Sequence, residues 1–148
     1  MTKLIEIARQ EIGQTESPPD SNKTKYGVWS SLNGLPWCGL FVSYCYANAE
    51  QPLPRIGFRF PGFAGCQTAV AYFRKNGKVV TVPEPGDIVF FDWNGDGRFD
   101  HTGIFVKKFD DIWFETIEGN TSLTNQSNGG QVMLRQRKFS KNVIFVHP

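Results

Sequence analysis

The chain has 148 residues, enough for one domain with a substantial core and few for two. Its net charge is +2 at pH 7 with no basic run or basic helix face, which argues against nucleic acid as a partner. No stretch approaches the roughly 18 apolar residues of a membrane span, and the three cysteines lack the paired spacing of a zinc site or a disulfide framework.

Leu4, Ile5, Ala8 and Ile12 recur at helical spacing and predict a helix over 3–13, ended by Gly13. Charges break up its apolar residues, so it does not read as a signal peptide and a cytoplasmic start is expected. Residues 14–35, rich in Pro, Ser, Asn and Gly, predict a long ordered loop. A second, apolar helix runs from Trp37 to Ala49, and Pro52 and Pro54 forbid its continuation. A third covers 62–75. After the Asn76-Gly77 turn the texture changes to strands, expected at 78–82, 88–91, 101–109, 112–118, 131–139 and 142–146. Helices first and strands afterwards predict one α+β domain over 1–148, with N-terminal helices packed on a C-terminal antiparallel sheet.

Cys38 follows Pro36-Trp37 and opens the second helix. A thiol at a helix start feels the positive end of the dipole and unpaired backbone N–H groups, and both favour thiolate. His101 begins one predicted strand and Glu118 ends the next, so a hairpin brings them to one edge. Alternation along the strand puts Glu118 and Asn120 on the same side. A carboxylate or amide there can bind one imidazole nitrogen and leave the other for the thiol. The expected roles are Cys38 as nucleophile, His101 as base, and Glu118 or Asn120 as the group that orients the ring. Cys45 and Cys66 are expected to be packing residues.

At these residues the chain resembles the CHAP domain, the cysteine, histidine-dependent amidohydrolase/peptidase of phage endolysins, within the papain-like NlpC/P60 group. Three stretches carry the likeness. They are Pro36-Trp37-Cys38-Gly39-Leu40-Phe41-Val42; Gly86-Asp87-Ile88-Val89-Phe90-Phe91 with Asp100-His101-Thr102-Gly103-Ile104-Phe105; and Glu118-Gly119-Asn120-Thr121. The resemblance implies a papain-like fold and hydrolysis of an amide bond in peptidoglycan. The bond would be N-acetylmuramoyl–L-alanine or one within the stem peptide or cross-bridge. It implies a monomer that partners with the bacterial wall and waits in the host cytoplasm until released. In NlpC/P60 relatives a tyrosine upstream of the cysteine helps form the oxyanion hole, and Tyr26 holds a comparable position. The alternatives are a papain-like thiol peptidase or acyltransferase with a non-wall substrate, and a wall-degrading toxin injected between bacteria.

Two further features bear on ligands. Asp92, Asn94, Asp96, Arg98 and Asp100 match the alternate positions of an EF-hand-type loop, with Gly97 at the turn position, and predict a structural Ca²⁺ site. Position twelve is Gly103, which has no carboxylate, and a polar hairpin loop is the competing reading. Trp37 and Trp93 are candidates for stacking on sugar or peptide in a substrate groove.

Overall fold

The computed structural model describes residues 2–148. Four helices come first: α1 (Thr2–Gln10), α2 (Lys25–Ser30), α3 (Cys38–Asn48) and α4 (Cys66–Lys75). Six strands follow: β1 (Val79–Val80), β2 (Ile88–Phe91), β3 (His101–Lys108), β4 (Trp113–Thr121), β5 (Gln131–Lys138) and β6 (Val143–Val146). They form one sheet in the order β1-β6-β2-β3-β4-β5, with every pair antiparallel. The architecture is therefore α+β, as the order of elements predicts. No helix among the described residues is long and apolar enough to cross a membrane.

α3 is the central element, apolar on every side because it is enclosed on every side. Leu40, Phe41 and Val42 have no exposed surface, and each contributes roughly 1.5–3 kcal/mol by burial. Around them Ile88, Phe90, Ile104, Ile117 and Val132 from the sheet join Phe63, Val70 and Phe73 from the α4 region in the main core. A smaller cluster of Val89, Phe91, Phe105, Phe114 and Phe145 uses the alternate strand positions. Gly119 lets β4 meet α3: a Cβ there would lie 2.6 Å from the Phe41 Cβ and 2.9 Å from the Trp37 ring.

The segment predicted as loop holds α2. Its start is marked by Thr24, whose side chain accepts from the Gly27 N–H, and its end by Ser31 in the left-handed region at φ 64°. Six residues with a central glycine carry too little periodicity to reveal it. The third helix begins at Cys66 rather than at residue 62. Gly62 has φ 142° and lies against Ser43, so the chain is still turning there.

Candidate active site

Cys38 is the first residue of α3, with Trp37 as the flanking cap. Ser43 ties the preceding turn of the cleft to the helix, accepting from the Phe63 N–H at 3.0 Å while its own hydroxyl reaches the Gly39 carbonyl at 2.8 Å. β3 supplies His101 and β4 supplies Glu118. Ile104 pairs with Ile117, and continuing that antiparallel register sets Glu118 opposite Gly103, one diagonal step from His101. A Cβ on Gly103 would lie 2.5 Å from the Glu118 Cγ. The bare backbone of Gly103 is thus the gap through which Glu118 reaches the imidazole.

The His101 Nε2 bonds Glu118 Oε1 at 2.8 Å, and both side chains are fully buried. Nδ1 has no hydrogen-bond partner. It is the nitrogen left for the Cys38 sulfur, with which His101 interacts. The charges reinforce one another. The neighbouring Cys66 thiol, and after it the His101 charge and the Gly39 N–H, hold the Cys38 thiol well below its usual range despite burial. Burial alone would lower the His101 pKa, yet Cys38 and Glu118 raise it to about 9. Burial likewise opposes ionisation of Glu118, but Arg137 and His101 bring it down to about 2. Together these shifts favour the thiolate, the imidazolium and the carboxylate.

Two of these contributors, Cys66 and Arg137, were not singled out from the sequence as site residues. Arg137, on β5, donates from Nε to Glu118 Oε2 at 2.8 Å and from Nη2 to Oε1 at 2.5 Å. Thr116 donates to the same Oε2 at 2.5 Å. The guanidinium lies 4.9 Å from the Trp93 ring centroid and 5.3 Å from that of Phe91. Residue types along β5 carry no signal for it, because a basic side chain on a strand normally faces solvent. Cys66 packs in the main core as expected, and its sulfur also lies 4.0 Å from that of Cys38.

The remaining sequence candidates, Trp93 apart, fall elsewhere. Asn120 does not reach His101. It has φ 57° and sits where the β4–β5 register shifts, which breaks the alternation that would have aligned it with Glu118. Its side chain bonds the Asn128 Oδ1 at 3.0 Å and accepts from the Gly130 N–H at 3.1 Å, fastening the β4–β5 loop. Tyr26 is 1 % exposed and donates its hydroxyl to Glu11 at 2.9 Å. Trp37 is fully buried, stacks on Tyr26 and donates to Glu16 at 3.0 Å. Both are framework under the helix start, because the apolar enclosure of α3 claims their rings. Trp93 is 39 % exposed, stacked on Phe91 at 4.7 Å and 6.0 Å from the His101 ring.

The 92–100 loop is folded on its own backbone. Asp92 accepts from the N–H groups of Gly95, Asp96 and Gly97, Asp96 from that of Arg98, and Asp100 from that of Trp93. Among the described residues no three His, Cys, Asp or Glu side chains are grouped to hold an ion.

The thiol opens on a cleft of about 310 Å³ lined by Leu35, Pro36, Ala64, Cys66 and Asp100. A larger groove of about 710 Å³ runs past Trp93, Trp113, Arg135 and Arg137. A thiolate at a helix start, an imidazolium on a strand and a buried carboxylate behind it form the layout of a thiol hydrolase. A family model described as the CHAP domain matches residues 30–120, more than half the chain and inclusive of Cys38, His101 and Glu118. The chain belongs to the CHAP domain family, whose members are typically cysteine- and histidine-dependent amidohydrolases or peptidases. No curated protein matches it.

Proposed function

We propose that the protein cleaves an amide bond of bacterial peptidoglycan by thiol catalysis. The observation that carries this reading is the buried His101–Glu118 bond, which leaves Nδ1 of the imidazole without a partner while the Cys38 thiol and the His101 ring stabilise each other's charge. Cys38 attacks the carbonyl carbon. The Cys38 backbone N–H, at the helix start, stabilises the oxyanion. His101 gives its proton to the leaving amine and then takes one from the water that releases the acyl group. Glu118 keeps the ring oriented and charged. The bond is N-acetylmuramoyl–L-alanine or a stem-peptide or cross-bridge amide.

An endolysin setting, with a monomer held in the host cytoplasm until release, completes this reading and rests on the likeness to phage CHAP enzymes. Digestion of purified walls and defined muropeptides, with mass identification of the cut bond, tests it. Wild type should lyse walls and Cys38→Ala should not. Activity only on peptides or acyl donors unrelated to wall would replace this reading with that of another papain-like enzyme.

Calcium is part of the same proposal. Asp92, Asn94, Asp96 and Asp100 offer hard oxygens, and Arg98 stands where EF-hand loops use a backbone carbonyl. The Asp92 carboxylate already folds the turn, and the remaining oxygens would have to draw in around the ion. The ion would brace the backbone leading into His101 and takes no part in bond cleavage.

A further inference from the structure

We propose that Cys66 is a resolving thiol for Cys38, so that peroxide converts the pair into a reversible intramolecular disulfide. Each cysteine is the first residue of a helix, α3 and α4 respectively, and the two helix starts face each other across one cleft. The sulfurs are 4.0 Å apart. A disulfide needs about 2.05 Å, so each side chain has to swing by about 1 Å. Both residues line the 310 Å³ cleft, which gives a small oxidant access although Cys38 is only 5 % and Cys66 8 % exposed. Cys45 is fully buried, and does not line that cleft.

The chemistry follows from which thiol is ionised. The Cys38 thiolate attacks one oxygen of hydrogen peroxide. The O–O bond breaks, Cys38 becomes a sulfenic acid, and the departing hydroxide takes the His101 proton to leave as water. The Cys66 sulfur then attacks the Cys38 sulfur. An S–S bond forms, the S–O bond breaks, and the hydroxyl leaves with the Cys66 proton as a second water. Two thiol sulfurs are oxidised by two electrons in total, and one peroxide is reduced to two waters. Without Cys66 the sulfenic acid meets more peroxide and becomes a sulfinic acid, which simple thiols do not reverse. Cys66 thus shields the nucleophile from permanent loss.

The test treats wild type and Cys66→Ser with excess hydrogen peroxide and follows intact mass, a non-reducing peptide digest, and activity before and after dithiothreitol. Each protein is referred to its own untreated activity. Wild type should lose two hydrogens, yield a Cys38–Cys66 linked peptide, and recover. Cys66→Ser should gain two oxygens on Cys38 and stay inactive, with irreversible loss at least roughly tenfold faster than in wild type. If Cys66→Ser fails to fold, the wild-type digest decides alone. Wild type that reaches the doubly oxygenated form without the linked peptide, or that links Cys45 instead, overturns the proposal. The mass readouts do not require the protein to cut peptidoglycan, so the two readings fail separately.

Discussion

Arg137 grips Glu118 with two near-parallel hydrogen bonds, 2.8 Å to Oε2 and 2.5 Å to Oε1, although the strand that carries it lies outside the matched family region. Both groups are buried, and removing the guanidinium leaves the Glu118 carboxylate with His101 and Thr116 as its remaining partners. Arg137→Met should cost about 3–5 kcal/mol in urea unfolding and depress wall lysis more than stability alone explains. Arg137→Lys keeps the charge but loses the fork, so it should fall between the two. Equal stability of Arg137→Met and wild type would remove Arg137 from the site.

The pH response follows from the pair that Arg137 supports. His101 is raised from 6.5 to about 9, so its contribution to stability is complete below pH 6.5 and is lost as pH rises towards 9. Glu118 is lowered from 4.5 to about 2, so its contribution is complete above pH 4.5 and is lost as pH falls towards 2. Together they give a plateau between about pH 4.5 and 6.5. Turnover should decline above about pH 9 as His101 loses its proton. Glu118→Gln should move that decline to lower pH, because the carboxylate helps to hold the proton. Thermal melts and kcat/KM across pH check both limbs, and an unmoved alkaline limb in Glu118→Gln contradicts the assignment.

Gly103→Ala tests the gap beneath Glu118. The new methyl would stand 2.5 Å from the Glu118 Cγ, so strand or carboxylate has to move. A misplacement on the order of 1 Å can cost about 100-fold in rate, and lysis should fall to that extent. Full activity of Gly103→Ala in wall turbidity assays would show that Glu118 has another route to the imidazole.

Asn120 should behave as a loop anchor. Asn120→Gly retains the left-handed backbone but loses the bonds to Asn128 and Gly130, at about 1–3 kcal/mol for buried polar groups left unmatched. Its turnover, measured well below the melting temperature, should exceed that of Glu118→Gln. The reverse order would return Asn120 to the imidazole.

Chelator-treated protein titrated with calcium should bind one ion and melt higher, and Asp96→Ala should abolish both effects. No heat and no shift at millimolar calcium ends the proposal for the 92–100 loop.

The sequence makes the scaffold legible where periodicity is strong. The apolar run after Trp37 predicts α3, and the His101 and Glu118 strands predict the hairpin that joins them. Asn120 escaped because strand alternation holds only while the strand is regular, and a positive φ inside a register shift is invisible in residue types alone. Arg137 escaped because a basic residue on a strand normally faces solvent, and only the tertiary fold shows a carboxylate buried beneath it. Trp37 looked like a groove residue and Tyr26 like a contributor to the oxyanion hole, because aromatic identity does not tell inside from outside.

The two halves of the catalytic apparatus are made far apart in time. Synthesis from the N-terminus delivers Cys38 and Cys66 well before His101, Glu118 and Arg137. A chain that stops short of β3 has its thiol and the neighbouring Cys66 but no imidazole to protonate a leaving group. One that stops short of β5 lacks the guanidinium that keeps the buried carboxylate ionised, so the last long strand completes the site that the first long helix begins.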